Sequence, residues 1–158
     1  MRTVEHSETP HGRRTGQPYP PERLAQQLAF TELTDDDLRR IAGYRTSFLC
    51  RVPDMVDAFY AHLWTIPELQ AVVERFSTVE RLKTTLAEYL EWLVRGKVDL
   101  AYAEHRFNVG TVHERIGLAP QWYLGMFHVF ESHIVGLIEE QNPDPERRKA
   151  DIVAFMKL

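Results

Sequence analysis

Cysteine is almost missing from this chain: Cys50 is the only one in 158 residues. A single thiol closes no internal disulfide, completes no four-cysteine cluster site and cannot supply the paired cysteines that attach a haem covalently. A reducing cytoplasm is the compartment such usage implies. Long hydrophobic runs are missing too. The longest stretch without Asp, Glu, Lys or Arg runs from Ile116 to Phe130, and Gly117, Pro120 and Gly125 interrupt it. A bilayer crossing needs about 20 apolar residues, so no membrane span is expected. Excess positive charge is absent as well. The 19 Lys and Arg against 23 Asp and Glu leave a net charge of −4, which offers no electrostatic footprint for nucleic acid. The N-terminus has no apolar core of the signal-peptide kind. Met1 to Pro21 carries scattered charge with Pro10, Gly12, Gly16, Pro18, Pro20 and Pro21, so residues 1–20 are expected to form a mobile tail and 21–158 one domain.

What is there reads as helix after helix. Pro21 opens a short segment, Glu22 to Phe30. Thr34 followed by Asp35, Asp36 and Asp37 is a helix start, because carboxylates meet exposed amides and the positive helix end; that helix is predicted to run to about Cys50. Pro53 should restart the chain, with Val56, Phe59, Tyr60 and Leu63 on one apolar stripe. Ile66-Pro67 breaks it, and a brief helical turn should follow to about Arg75. Ser77-Thr78-Val79-Glu80 reads as a capping box with Ser at the cap. The helix it opens carries Leu82, Thr85, Leu86, Tyr89 and Leu93, with Gly96 as a stop. Asp99 starts a helix to about Ile116, ending near Gly117. Pro120 starts the most apolar helix, through about Gln141, and Asn142-Pro143 ends it. Asp144 to Leu158 forms the last helix, which looks interrupted mid-course. No repeat and no alternating strand pattern is present. The expected class is all-α with seven or eight helices, too irregularly broken for a four-helix bundle and closer to a globin-like packing.

Few residues are placed for chemistry. His113 shares a helical face with Val109 and Ile116, so it points inward. Spacing leaves two readings open: a core histidine satisfied by a hydrogen bond, or a haem ligand with its second ring nitrogen held by an acceptor. Tyr60 on its apolar stripe has either a backbone carbonyl partner or the role of donor to a bound gas. Leu82 and Thr85 share a face, as packing residues or as part of the same pocket. Other metal chemistry finds no pattern. The diiron motif Glu-x-x-His is missing from every helical stretch, and there is no His-Glu-x-x-His motif or glycine-rich phosphate loop. His128 and His133, five apart, do not share a face, and His6, His11 and His62 read as solvated.

Three motifs carry a family resemblance. Val109-Gly-Thr-Val-His-Glu-Arg-Ile-Gly-Leu-Ala-Pro-Gln-Trp-Tyr-Leu-Gly125 resembles the proximal signature of globin-coupled sensors. Val56-Asp-Ala-Phe-Tyr60 and Val79-Glu-Arg-Leu-Lys-Thr-Thr-Leu86 resemble the family's distal segments, in matching order and spacing from about Leu33 onward. The resemblance implies a globin fold with an extra N-terminal helix and a b-type haem. It makes His113 the proximal iron ligand, with Val109 and Ile116 covering the macrocycle and Tyr123 packed beside the histidine. Tyr60 becomes the hydrogen-bond donor to O2, assisted by Thr85 and lined by Leu82. Phe76 stands near the haem edge where some members carry a polar residue, so propionate contacts do not carry over. The family also implies CO and NO as alternative ligands, and a homodimer through the helices at about 120–141 and 144–158. The outputs it associates with this domain are diguanylate cyclase, histidine kinase or chemotaxis transducer modules. Two rival functions compete with a non-enzymatic sensor: a haem enzyme acting on O2 or nitric oxide, and a haem-free helical interaction domain.

Overall fold

A computed structural model describes residues 18–158. Among them are nine helices and no strand: α1 Pro21–Thr31, α2 Asp35–Gly43, α3 Arg45–Leu63, α4 Pro67–Phe76, α5 Val79–Leu93, α6 Leu100–Arg115, α7 Pro120–Gly125, α8 Phe127–Gln141 and α9 Pro145–Met156. The all-α, globin-like class is what the pattern of breaks implied. No described helix is long and apolar enough to cross a membrane. The tail expected over 1–20 lies outside the described residues except at Pro18 to Pro20. There Tyr19 is buried, with its backbone amide bonded to Glu104 of α6.

Four boundaries differ from the sequence reading. Proline was expected to restart the chain at Pro53, but Pro53 lies inside a continuous α3. The break comes earlier, at Tyr44, whose φ of −90° and ψ of −3° separate α2 from α3. Tyr44 is pinned there because its hydroxyl donates to Asp151 at 2.6 Å. A distant carboxylate thus sets the corner, and the helix expected to reach Cys50 ends at Gly43. The cap of α5 is Thr78, not Ser77, since its Oγ1 accepts from the Arg81 amide. The helix expected from Pro120 to Gln141 is split at Met126 into α7 and α8.

Other signals act as chemistry requires. Thr34 and Asp37 form a reciprocal capping box on α2, satisfying two amides that a helix start leaves free. Asp99 caps α6 and Asp144 caps α9. Gly96 adopts φ +68°, and a Cβ there would sit 2.7 Å from the Ala42 Cβ, so the turn between α5 and α6 can press against α2 only because that side chain is absent. The core runs along α3, α5 and α8, with Phe48, Met55, Leu90, Leu137 and Ile138 fully buried. α3 lies at its centre, packed against both α5 and α8, while α9 packs on α2 and α8.

Buried Asp151 organises the α2–α9 side. It accepts from Tyr44, from Asn142 at 3.0 Å and from Arg40 at 3.1 Å. Nearby, Lys157 ties the end of α9 to Asp37 at 2.9 Å and to the Glu32 carbonyl at 3.0 Å.

Candidate functional site

α5 and α6 follow one another in the chain but are not closely packed along their length; α5 packs on α3 and α6 on α1. They meet near their connection, where His105 stacks on Trp92 with centroids 4.7 Å apart and on Tyr89 at 6.0 Å. Away from that joint, Leu82 and Leu86 of α5 are only half-buried, as are Val109 and His113 of α6 and Ile116 at its C-terminal cap. The C-terminal half of α6 buries no residue fully, although it carries Val109, Val112 and His113. Apolar side chains only partly covered by their own chain are what a site for an apolar ligand offers.

The His113 ring is oriented by its own helix. Its Nδ1 lies 2.8 Å from the Val109 carbonyl oxygen. A carbonyl can only accept, so Nδ1 carries the proton and donates. In the neutral ring Nε2 then keeps its lone pair, and the backbone partner fixes the ring's orientation, an arrangement compatible with metal binding. Tyr123 of α7 packs on the same ring, centroids 4.8 Å apart. α7 starts two residues after Leu118 because Gly117, at φ +73°, reverses the chain at the end of α6, and Pro120 at the first helical position starts the next helix.

Tyr60 sits on α3, 8% exposed, in the same apolar cluster as half-buried Leu82 and Val109. Phe59 and Trp64 contact its ring edge-on at 5.2 and 6.3 Å. Burial pushes its hydroxyl pKa up to about 12, and the hydroxyl has no hydrogen-bond partner among the described residues. It is therefore a protonated donor held in an apolar setting.

Not every expected residue converges. Thr85 is exposed, and its hydroxyl donates to the Arg81 carbonyl at 3.0 Å, the back-bond common to threonine within helices. Phe76 is 49% exposed at the end of α4, with the Arg75 guanidinium over its ring at 5.1 Å. The structure thus joins Tyr60, Leu82 and Val109 in one cluster, and Val109, His113 and Tyr123 by direct contact. Thr85 and Phe76 stand at the surface.

A second polar cluster stands beside this one. Arg106 lies over the rings of Tyr89 and Tyr102 at 4.9 and 5.1 Å and donates to the Leu158 main-chain oxygen at 3.1 Å. Burial lowers its pKa, partly countered by Tyr123, and the side chain stays cationic. Tyr89 Oη, Tyr102 Oη and His105 Nδ1 are buried without partners among the described residues. Tyr102, His105 and Arg106 share one face of α6 at i, i+3 and i+4; the α5–α6 turn is what brings Tyr89 and Trp92 of α5 against them.

Comparison with known proteins follows the same lines. The Protoglobin family model matches residues 21–158, and the chain belongs to that family of globin-type proteins. It is 37% identical over 105 residues to the heme-based aerotactic transducer HemAT of Halobacterium salinarum, covering 66% of this chain and 22% of that protein. The chain therefore spans about a fifth of that relative's length. The globin domain of the Geobacter sulfurreducens globin-coupled sensor superposes with a TM-score of 0.78 at 24% identity, covering 84% of this chain and 88% of that one. That likeness establishes the shared fold.

Proposed function

We propose that residues 21–158 form a haem-based oxygen-sensing domain in which His113 is the proximal ligand of a b-type haem. The observation that carries this reading is the His113 ring, held through Nδ1 by the Val109 carbonyl, beside the half-buried apolar side chains of α5 and α6 in a protoglobin-family chain. The residues fit the cofactor on their own terms. They offer one oriented imidazole, half-buried apolar side chains to cover a flat macrocycle, and on Tyr60 a hydroxyl donor that bonds to no other described residue. Haem, when bound, supplies an iron that takes diatomic gases reversibly.

The remaining roles belong to the chain. Val109, Ile116 and Tyr123 hold the proximal imidazole and exclude water from it. Leu82 lines the opposite side. Tyr60 donates a hydrogen bond to O2 and favours it over less polar CO. Thr85 acts as the second polar contact by turning its hydroxyl from the Arg81 carbonyl, and Phe76 covers the haem edge. The domain is a sensor and not an enzyme, placed in the cytoplasm. It acts as a homodimer through the helices at about 120–141 and 144–158, by which ligation at His113 reaches an output module. The HemAT relative, named a transducer, supports this assignment of the domain.

The visible absorption spectrum tests the reading. Ferric, dithionite-reduced and oxygenated samples should show a Soret band that shifts reversibly with O2 and is lost or altered in His113→Ala. A featureless spectrum after haemin addition overturns it and returns His113 to a packing role. Sedimentation at high concentration tests the dimer, and a persistent monomer refutes that route for the signal.

A further inference from the structure

Outside this site, folding brings together two histidines that the sequence keeps 66 residues apart. His62 on the last turn of α3 and His128 on the first turn of α8 have ring centroids 4.9 Å apart with planes at 77°. Both are exposed. His128 Nδ1 lies 2.6 Å from the Gly125 carbonyl oxygen. Nδ1 must therefore donate, which in the neutral ring leaves the lone pair on Nε2. The helices beneath are locked in register, because Phe59 and Phe130 stack in parallel at 5.2 Å and 2°. The pair is thus held by packed helices rather than by mobile loops.

We propose that His62 and His128 form a binding site for a divalent transition-metal ion of the imidazole-preferring class, such as Zn2+ or Cu2+. The spacing matches. A metal–nitrogen bond of about 2.1 Å sets each liganding ring centre roughly 3.2 Å from the ion. Centroids 4.9 Å apart then subtend an angle of about 100° at the metal, close to tetrahedral. Exposure leaves the other coordination positions to water or to a ligand from solution. The bound ion clamps the end of α3, two residues after Tyr60, to the junction of α7 and α8 at Met126. Metal occupancy therefore bears on the helices that carry Tyr60 and Tyr123. The site itself stands whether or not haem binds at His113.

Titration of Zn2+ against a chromophoric competitor tests it, in a His6→Ala, His11→Ala background that removes the N-terminal histidines from competition. One equivalent should bind, and His62→Ala and His128→Ala should each weaken it at least tenfold, since losing even an outer partner of a metal site costs roughly 10–100-fold. His133→Ala, on a different face of α8, should leave binding unchanged. Cu2+ in place of Zn2+ should give an electron paramagnetic resonance spectrum with two nitrogen couplings, reduced to one in either variant. Both positions are exposed, so the far-UV circular dichroism of the variants should match the parent. Unchanged affinity in either histidine variant, or a His133→Ala loss as large as theirs, overturns the proposal.

Discussion

Tyr60→Phe separates ligand recognition from packing at one atom. The ring is buried against Phe59, Trp64 and the α3–α5 cluster, and phenylalanine keeps that ring. Only the hydroxyl goes, and it has no partner among the described residues. The hydroxyl gives up no protein hydrogen bond when it is removed, so folding stability should change little. Oxygen binding should respond in the opposite direction. A hydrogen bond contributes about 0.5–1.5 kcal/mol, which corresponds to a loss of roughly twofold to tenfold in O2 affinity. Carbon monoxide, less polar when bound, should lose less. Because burial raises the Tyr60 pKa to about 12, the donor stays protonated, and the O2 advantage should be flat from about pH 6 to 9 and fade only near pH 12. Equilibrium O2 and CO titrations with urea unfolding of the same variant provide the assay. Equal losses for both gases, or a large loss of stability with no change in O2 affinity, would refute the reasoning.

The remaining predictions concern the frame around the site. Asp151→Ala strips the acceptor from Tyr44, Asn142 and Arg40 together. It should lower the unfolding free energy by about 3 kcal/mol, read from the urea midpoint; a change within 0.5 kcal/mol, roughly the scatter of neutral surface substitutions, would deny Asp151 its organising role. Gly96→Ala places a methyl against Ala42 in a left-handed turn and should cost about 1–3 kcal/mol, whereas Gly43→Ala, with open space around it, should cost little. Asp37 is buried, which alone raises its pKa, but the Lys157 ammonium and the Thr34 bonds outweigh that and hold it below the ordinary value. A depressed folded-state pKa contributes stability present above the unfolded value, about 3.9, and lost as pH falls through the folded one. Asp37→Asn should therefore flatten the stability curve below about pH 4, and an unchanged acid limb would refute the α2–α9 clamp.

Much of this protein was legible in its sequence because the signals are local. Thr34 with Asp37, Asp99, Asp144 and prolines 21, 67 and 120 mark helix starts through chemistry within one turn, and the structure uses each. The His113 motif placed an inward imidazole four residues from Val109, the spacing at which a side chain can return to a backbone carbonyl. Tyr60 was readable as buried from its stripe alone. Tertiary structure decided the rest, where remote groups compete with local preference. Tyr44 breaks a helix because Asp151, 107 residues away, holds its hydroxyl, while Pro53 passes unbroken through α3. Tyr89 of α5 joins Tyr102, His105 and Arg106 of α6 only because the chain reverses between the two helices. The pairing of His62 with His128 arises only because Phe59 and Phe130 set the register of α3 on α8. Spacing along one helix is written in the residues themselves; which faces of different helices meet is settled by packing of the whole chain.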